Sequence, residues 1–287
     1  MPVSRVAGTT PAIGATSNRG SYDAMTSLLS GITAADIRLD PFPHVVASDV
    51  MDPELCRVLG ETFPPFAWIG WADPRCPPRS NRRFQLSAWS ILNDDRMAPE
   101  WKAFVAHHSS PAFFAEVVEL FRDHWPAAMT QALGGALLGH SMGLLLRDSH
   151  ATARILQDAR IEINTPVTAG PSSSRGPHLD TPNRLFTCLF YLRHPDDDAV
   201  GGDLELFRWK DGPVPDFDAF QFPPDVVERV ATVPYRANQL VIFPQGVDAL
   251  HGVGVRHPTP HTRRYVFISA ELEKGWMASP NAHPAMA

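Results

Sequence analysis

Cysteine is scarce in this 287-residue chain, with three residues, Cys56, Cys76 and Cys188, scattered along it. Three are too few for a disulfide framework or a CxxC zinc site, and one must stay unpaired, which fits a reducing, cytoplasmic setting. Long apolar runs are missing as well. Nothing approaches the roughly 18 consecutive apolar residues of a membrane span, and residues 1–20 mix Gly, Thr, Ser, Pro and Arg without the apolar stretch of a signal peptide. Neither secretion nor membrane insertion is expected. Blocks of like charge are absent except for Asp196–Asp198, and the net charge is −6, so nucleic acid is not an expected partner. There is no internal repeat. What remains is an ordinary soluble composition, 44% apolar, enough for a substantial core. Oligomeric state is left open.

Residues 1–35 lack the periodicity to bury anything and predict a disordered leader. A single domain is expected over 36–275, with a helical half at 36–150, a barrel at 151–275 and a tail at 276–287. Asp52-Pro53 reads as an N-cap followed by proline at the first helical position, with Leu55, Val58, Leu59 and Phe63 as the apolar stripe. Ser110-Pro111 repeats the pattern ahead of Phe113, Phe114, Val117, Val118, Phe121 and Trp125. Strand-like runs follow at Arg160–Asn164, Thr187–Leu192, Leu204–Trp209, Gln239–Pro244 and Arg264–Ser269, separated by turns. Short strands in that series predict an antiparallel barrel or jelly roll. Residues 210–227, rich in Pro, Asp and Phe, read as an insertion between strands that could serve as a lid.

The chemistry is concentrated in His178-Leu179-Asp180 and in His251, 73 positions later. Two histidines and one carboxylate on one side of a metal, with open positions opposite, form the ligand set of non-haem Fe(II) oxygenases. In extended backbone, residues two apart point the same way, so His178 and Asp180 can reach one ion while Leu179 faces away.

HLDTPN at 178–183, TCLFYL at 187–192, GGDLELF at 201–207 and the stretch from His251 to Arg264 together resemble the Fe(II)/2-oxoglutarate-dependent oxygenases, particularly their prolyl-hydroxylase-like branch. Asp40–Val46 resembles the opening strand of bacterial members. The resemblance covers roughly residues 160–272. It implies an α+β protein with a double-stranded β-helix (jelly roll) core buttressed by the N-terminal helices. It further implies Fe(II), 2-oxoglutarate and O2 as cofactor and cosubstrates, with His178, Asp180 and His251 as catalytic metal ligands. Arg264 would hold the far carboxylate of 2-oxoglutarate, a task suited to a guanidinium fork, and Tyr191 would donate a hydrogen bond to the same group. Alternation puts Arg264, Val266 and Ile268 on one face of the last strand, which looks like the barrel interior, and Arg263, Tyr265 and Phe267 on the other. Arg263 is therefore the alternate anchor. Thr187 is placed near the cosubstrate and Arg184 near the substrate, against the plainer roles of strand threonine and surface arginine. Asn164 could line the pocket or cap a turn.

The segment 73–84 (DPRCPPRSNRRF) carries Arg75, Arg79, Arg82 and Arg83. It reads as a solvated basic loop or as a dock for an anionic substrate group, with Arg83 as the candidate. The expected reaction is hydroxylation of an unactivated C–H bond in a small molecule, releasing succinate and CO2. Chlorination is disfavoured because Asp180 fills the position that family halogenases leave to a small residue. Two other readings compete. One is a jelly roll that binds metal or ligand without catalysis. The other is a serine hydrolase through Ser141, since Gly139-His140-Ser141-Met142-Gly143 matches the G-x-S-x-G nucleophile elbow; Gly134-Gly135 and the run of short strands downstream argue against it.

Overall fold

The computed structural model describes residues 25–70, 79–214, 217 and 219–277. The leader expected over 1–35 falls outside the described residues up to position 24. Beyond it the chain is already part of the core, because Leu28 and Leu29 are buried. At the other end Trp276 and Met277 are buried too, the Trp276 indole donating to the Arg184 carbonyl at 2.8 Å. Buried side chains thus extend from Leu28 to Met277 among the described residues. Residues 278–287 lie outside the described residues.

Among the described residues six short α-helices lie ahead of residue 142: α1 (Pro53–Glu61), α2 (Phe66–Ile69), α3 (Ala88–Asn93), α4 (Pro99–His108), α5 (Pro111–Leu120) and α6 (Ala127–Ala132). Two of them start as their sequences dictate. The Asp52 carboxylate accepts the Glu54 and Leu55 amides at 3.0 Å, and Ser110 Oγ accepts the Phe113 amide at 3.3 Å, each ahead of a proline that has no amide to satisfy.

The strands are β1 (Val45–Ser48), β2 (Arg83–Leu86), β3 (Met142–Leu144), β4 (Ile155–Asn164), β5 (Arg184–Tyr191), β6 (Leu204–Trp209), β7 (Val227–Val233), β8 (Gln239–Pro244), β9 (His251–Val253) and β10 (Arg263–Glu271). The larger sheet runs β1-β8-β5-β10-β4-β2, with β3 joined to β4 in parallel; the smaller runs β7-β6-β9. Facing each other, they form a double-stranded β-helix, the jelly-roll core expected.

Alternation divides the large sheet between two cores. Phe186, Cys188, Phe190, Leu240, Ile242, Val266, Ile268 and Ala270 pack with the helices, where Trp101, Phe104, Phe113 and Phe114 meet them. Leu189, Tyr191, Val241, Phe243, Tyr265 and Phe267 face the small sheet's Leu204, Leu206 and Val233. Each aliphatic or aromatic side chain buried on the helix-backed side is worth about 1.5–3 kcal/mol.

This division corrects the expected facing of β10. Val266 and Ile268 look inward by hydropathy, but they serve the helix-backed core, whereas the more polar set of Arg263, Tyr265 and Phe267 faces the barrel interior.

The G-x-S-x-G stretch lacks the context of an elbow. Ser141 is exposed, it precedes strand β3 instead of joining a strand to a helix, and its Oγ accepts the Arg154 amide at 3.0 Å. The insertion between β6 and β7 lies against the loop that carries the first histidine. The Phe222 amide donates to the Pro177 carbonyl at 2.6 Å and the Gly176 amide to Gln221 Oε1 at 3.0 Å.

Candidate metal centre and cosubstrate pocket

His178 and His251 are held side by side by their own backbones. The His178 amide donates to the His251 carbonyl at 2.8 Å, and the His251 amide donates back at 3.1 Å. This isolated antiparallel bridge sets the ring centroids 4.3 Å apart. Gly252 permits the approach: a Cβ there would stand 2.8 Å from the Gly176 carbonyl carbon and oxygen. Each imidazole is oriented through its other nitrogen, His178 Nδ1 toward the Gly176 carbonyl at 2.8 Å and His251 Nδ1 toward the Ala249 carbonyl at 3.0 Å. With Nδ1 carrying the proton, both Nε2 lone pairs are free to ligate.

Those Nε2 atoms each lie 3.9 Å from the Asp180 carboxylate, His178 from Oδ1 and His251 from Oδ2. One ion with bonds of about 2.1 Å spans such a gap. All three side chains are buried and form a group of metal-binding geometry. Burial lowers both imidazoles below their ordinary pKa, His178 far below, so they are neutral as a metal requires. Burial alone would raise the Asp180 carboxyl. His251, Arg184, His178 and the Thr187 hydroxyl outweigh it and hold Asp180 well below the usual carboxylate range. The residues thus suit a divalent cation on donor type, protonation and spacing.

Across the cavity stands Arg263, at the start of β10. Its Nε donates to the Gly202 carbonyl at 2.9 Å, and its guanidinium lies 4.8–4.9 Å from the rings of Tyr191, Tyr235 and Tyr265. The Tyr191 hydroxyl is buried beside the Arg263 guanidinium, with no other partner among the described residues. Arg263 lines the cavity of about 470 Å³ that also contains His178, Asp180 and His251. Arg264 does not. It points to the opposite face, half-buried, with its guanidinium 4.8 Å from the Phe63 ring. The arginine that faces the cavity is therefore the alternate, Arg263, since neighbours in a strand face opposite ways.

The remaining expected residues are distributed unevenly. Thr187 is buried at the site, and its hydroxyl donates to Asp180 Oδ2. Arg184 is buried behind the triad, 5.0 Å from the Phe267 ring and 3.7 Å from Glu271, with Nε and Nη1 unpartnered among the described residues. Asn164 sits opposite Arg263 in the β4–β10 register with both amide atoms buried and unpartnered. Arg83 lies at the mouth, its Nη1 3.9 Å from Glu162. Arg75 lies outside the described residues.

Sequence reasoning missed three residues of the pocket wall. Glu162, buried, accepts from Tyr265 at 2.7 Å and from Arg160 Nε at 2.9 Å. It lies two positions before Asn164 on β4, so alternation could have found it. Tyr265 shares the face of Arg263 and was lost with it. Arg175 was legible only as an arginine three positions ahead of His178.

Residues 165–269 match the model of the 2OG-Fe(II) oxygenase superfamily. No curated protein matches the chain. Similar solved structures include a prolyl 4-hydroxylase of Phytophthora capsici, 18% identical over 94% of this chain and 74% of that one, TM-score 0.48. A Pseudomonas putida prolyl-4-hydroxylase is 16% identical over 83% of this chain and 97% of that one, TM-score 0.44. The epimerase SnoN, solved with Fe3+, alpha ketoglutarate and nogalamycin RO, is 13% identical over 88% of this chain and 90% of that one, TM-score 0.46. The matched segment contains His178, Asp180, His251 and the inward arginine. Residues 165–269 are matched as a 2OG-Fe(II) oxygenase domain, an enzyme class that uses Fe(II), 2-oxoglutarate and O2, and they bring together the His178, Asp180 and His251 group that could hold the metal.

Proposed function

We propose that the enzyme hydroxylates an unactivated C–H bond of a small molecule, one oxygen atom of O2 entering the product and the other entering succinate as 2-oxoglutarate loses CO2. The observation that carries the reading is a single cavity with three clustered ligands on one wall and a tyrosine-caged arginine on another. His178, Asp180 and His251 would hold Fe(II) by three positions, leaving the open face to the cosubstrate and oxygen. Iron and 2-oxoglutarate supply the oxidising power when bound.

The chain's own share is placement. Arg263 offers its fork to the distal carboxylate of 2-oxoglutarate, and Tyr191 adds a hydrogen bond from the same side. Thr187 fixes the Asp180 carboxylate by bonding Oδ2. Both oxygens of Glu162 are engaged, one by Arg160 and one by the Tyr265 hydroxyl, so it forms a wall instead of a rival metal ligand. Phe220, from the insertion between β6 and β7, lines the cavity and covers part of its entrance, where it limits water. Cavity size supports a small-molecule substrate, since volumes of about 300–1,000 Å³ are usual for such sites. An acidic ligand at position 180 favours hydroxylation over chlorination.

The test is succinate release from 2-oxoglutarate by purified protein with Fe(II), ascorbate and air. Slow substrate-free turnover that requires Fe(II) and disappears in His178→Ala supports the proposal. Succinate formation that persists in His178→Ala under metal-controlled conditions rejects it.

A further inference from the structure

Four arginines line the mouth of the cavity, and they arrive from two separate stretches. Arg79, Arg82 and Arg83 come from the entry to β2, and Arg175 from the loop ahead of His178. The arginine-bearing entry is pinned in place. Thr165 Oγ1 donates to the Arg79 carbonyl at 2.7 Å and accepts the Arg82 amide at 2.8 Å, while Asn81 Nδ2 donates to the Ser172 carbonyl at 2.9 Å. Ser80 Oγ accepts the Thr168 amide at 2.9 Å. The same bonds join this stretch to the segment that leads to Arg175.

Arg175 is built into the wall. Its side chain is 19% exposed, its Nε donates to the Phe220 carbonyl at 2.8 Å, and its guanidinium stacks 5.0 Å from the Phe220 ring. These contacts hold Nη1 3.9 Å from Asp180 Oδ1, beside the metal position. Burial and the nearby Arg83 and Arg184 lower its pKa, opposed by Asp180 and Glu162.

Among the described residues, the carboxylates lining this cavity are Asp180 and Glu162. With Fe(II) and the 2-oxoglutarate dianion in place, their charges cancel against those of Asp180 and Arg263. Of the described residues lining the cavity, only Glu162 then faces the four mouth arginines as a carboxylate, and it already serves Arg160 and Tyr265. Like charges gathered in a partly dry pocket are costly without a counter-charge, and guanidinium forks match oxyanions.

We infer that the substrate carries an oxyanion, a carboxylate or a phosphate, which Arg175 and Arg83 clasp at the mouth so that the carbon to be oxidised lies against the metal face. This rests on the proposed function. It narrows the substrate to an organic acid or phosphate ester and makes Arg175 and Arg83 its specificity determinants.

The experiment uses the full chain loaded with Mn(II) and saturating 2-oxoglutarate. Paramagnetic broadening of three probes is read by NMR: benzoate, phenylphosphonate and the neutral isostere benzamide. Loading is followed separately by the Mn(II) electron paramagnetic resonance signal. The expected result is saturable broadening of benzoate or phenylphosphonate but not benzamide, the preferred probe distinguishing carboxylate from phosphate. Binding should weaken about tenfold in Arg175→Gln and in Arg83→Gln. Arg83 is half-exposed, so its variant tests the clasp even if Arg175→Gln fails to fold. Normal loading with no preference for anions, or with anion binding unchanged in Arg83→Gln and in any folded Arg175→Gln, overturns this inference alone. Failure of Mn(II) to bind overturns the reading beneath it as well.

Discussion

Replacing Arg263 by glutamine removes the only cation that faces the triad from the start of β10. The side chain is 2% exposed and lies within 5 Å of three tyrosine rings, so a carboxylate bound to it is shielded from water on most sides. Truncating one partner of a buried ion pair costs about 3–5 kcal/mol, and each 1.4 kcal/mol is a factor of about ten in affinity. The 2-oxoglutarate KM of Arg263→Gln should therefore rise by roughly a hundredfold or more. Arg264→Gln, on the opposite face over Phe63, should stay within about twofold, as surface changes away from a site do. The assay is succinate release against 2-oxoglutarate concentration at fixed Fe(II), with thermal unfolding as a control because Arg263 also bonds the Gly202 carbonyl. A large KM effect in Arg264→Gln beside a small one in a folded Arg263→Gln would refute the inward facing of Arg263.

Thr187→Val keeps the volume but removes the hydroxyl that bonds Asp180, so Fe(II) affinity should fall about tenfold or more in an anaerobic competition titration. Gly252→Ala drives a methyl into the Gly176 carbonyl and should lower both unfolding temperature and Fe(II) affinity, whereas Gly60→Ala, with nothing within 4 Å, should do neither. His108 gives the acid response. Burial holds its pKa down at about 3, with Nε2 accepting the Leu28 amide. Between about pH 6.5 and 3 the unfolded chain takes up a proton that the folded one refuses, so stability falls with pH by about 1.4 kcal/mol per unit from this group. Urea unfolding of His108→Gln should lose about 2 kcal/mol less than the parent on going from pH 7.5 to 5.

The clustering of His178, Asp180 and His251 was legible because its requirements are local. His178 and Asp180 need extended backbone two residues long, and His251 needs only to be histidine on the neighbouring strand. The strands β4, β5, β8 and β10 and the caps at Asp52 and Ser110 were legible for the same reason. The inward arginine was not, because its identity depends on which side of β10 the helices cover. Hydropathy favoured Val266 and Ile268 as interior, yet in a jelly roll with a helical layer the drier face is the one away from the ligand. A face shared by Arg263, Tyr265 and Phe267 is what a polar, ligand-filled interior requires. Arg175 escaped for another reason: its place at the mouth comes from Phe220, 45 residues onward.

The most direct test of the central claim is an anaerobic titration of the metal-free protein with Fe(II) and then 2-oxoglutarate, watched for the weak visible charge-transfer absorption of the chelate, with Asp180→Ala alongside. The account predicts a band that needs both additions, saturates near one equivalent of iron per chain, and is lost in Asp180→Ala. No band in the folded parent protein, or one that persists in Asp180→Ala, would contradict it.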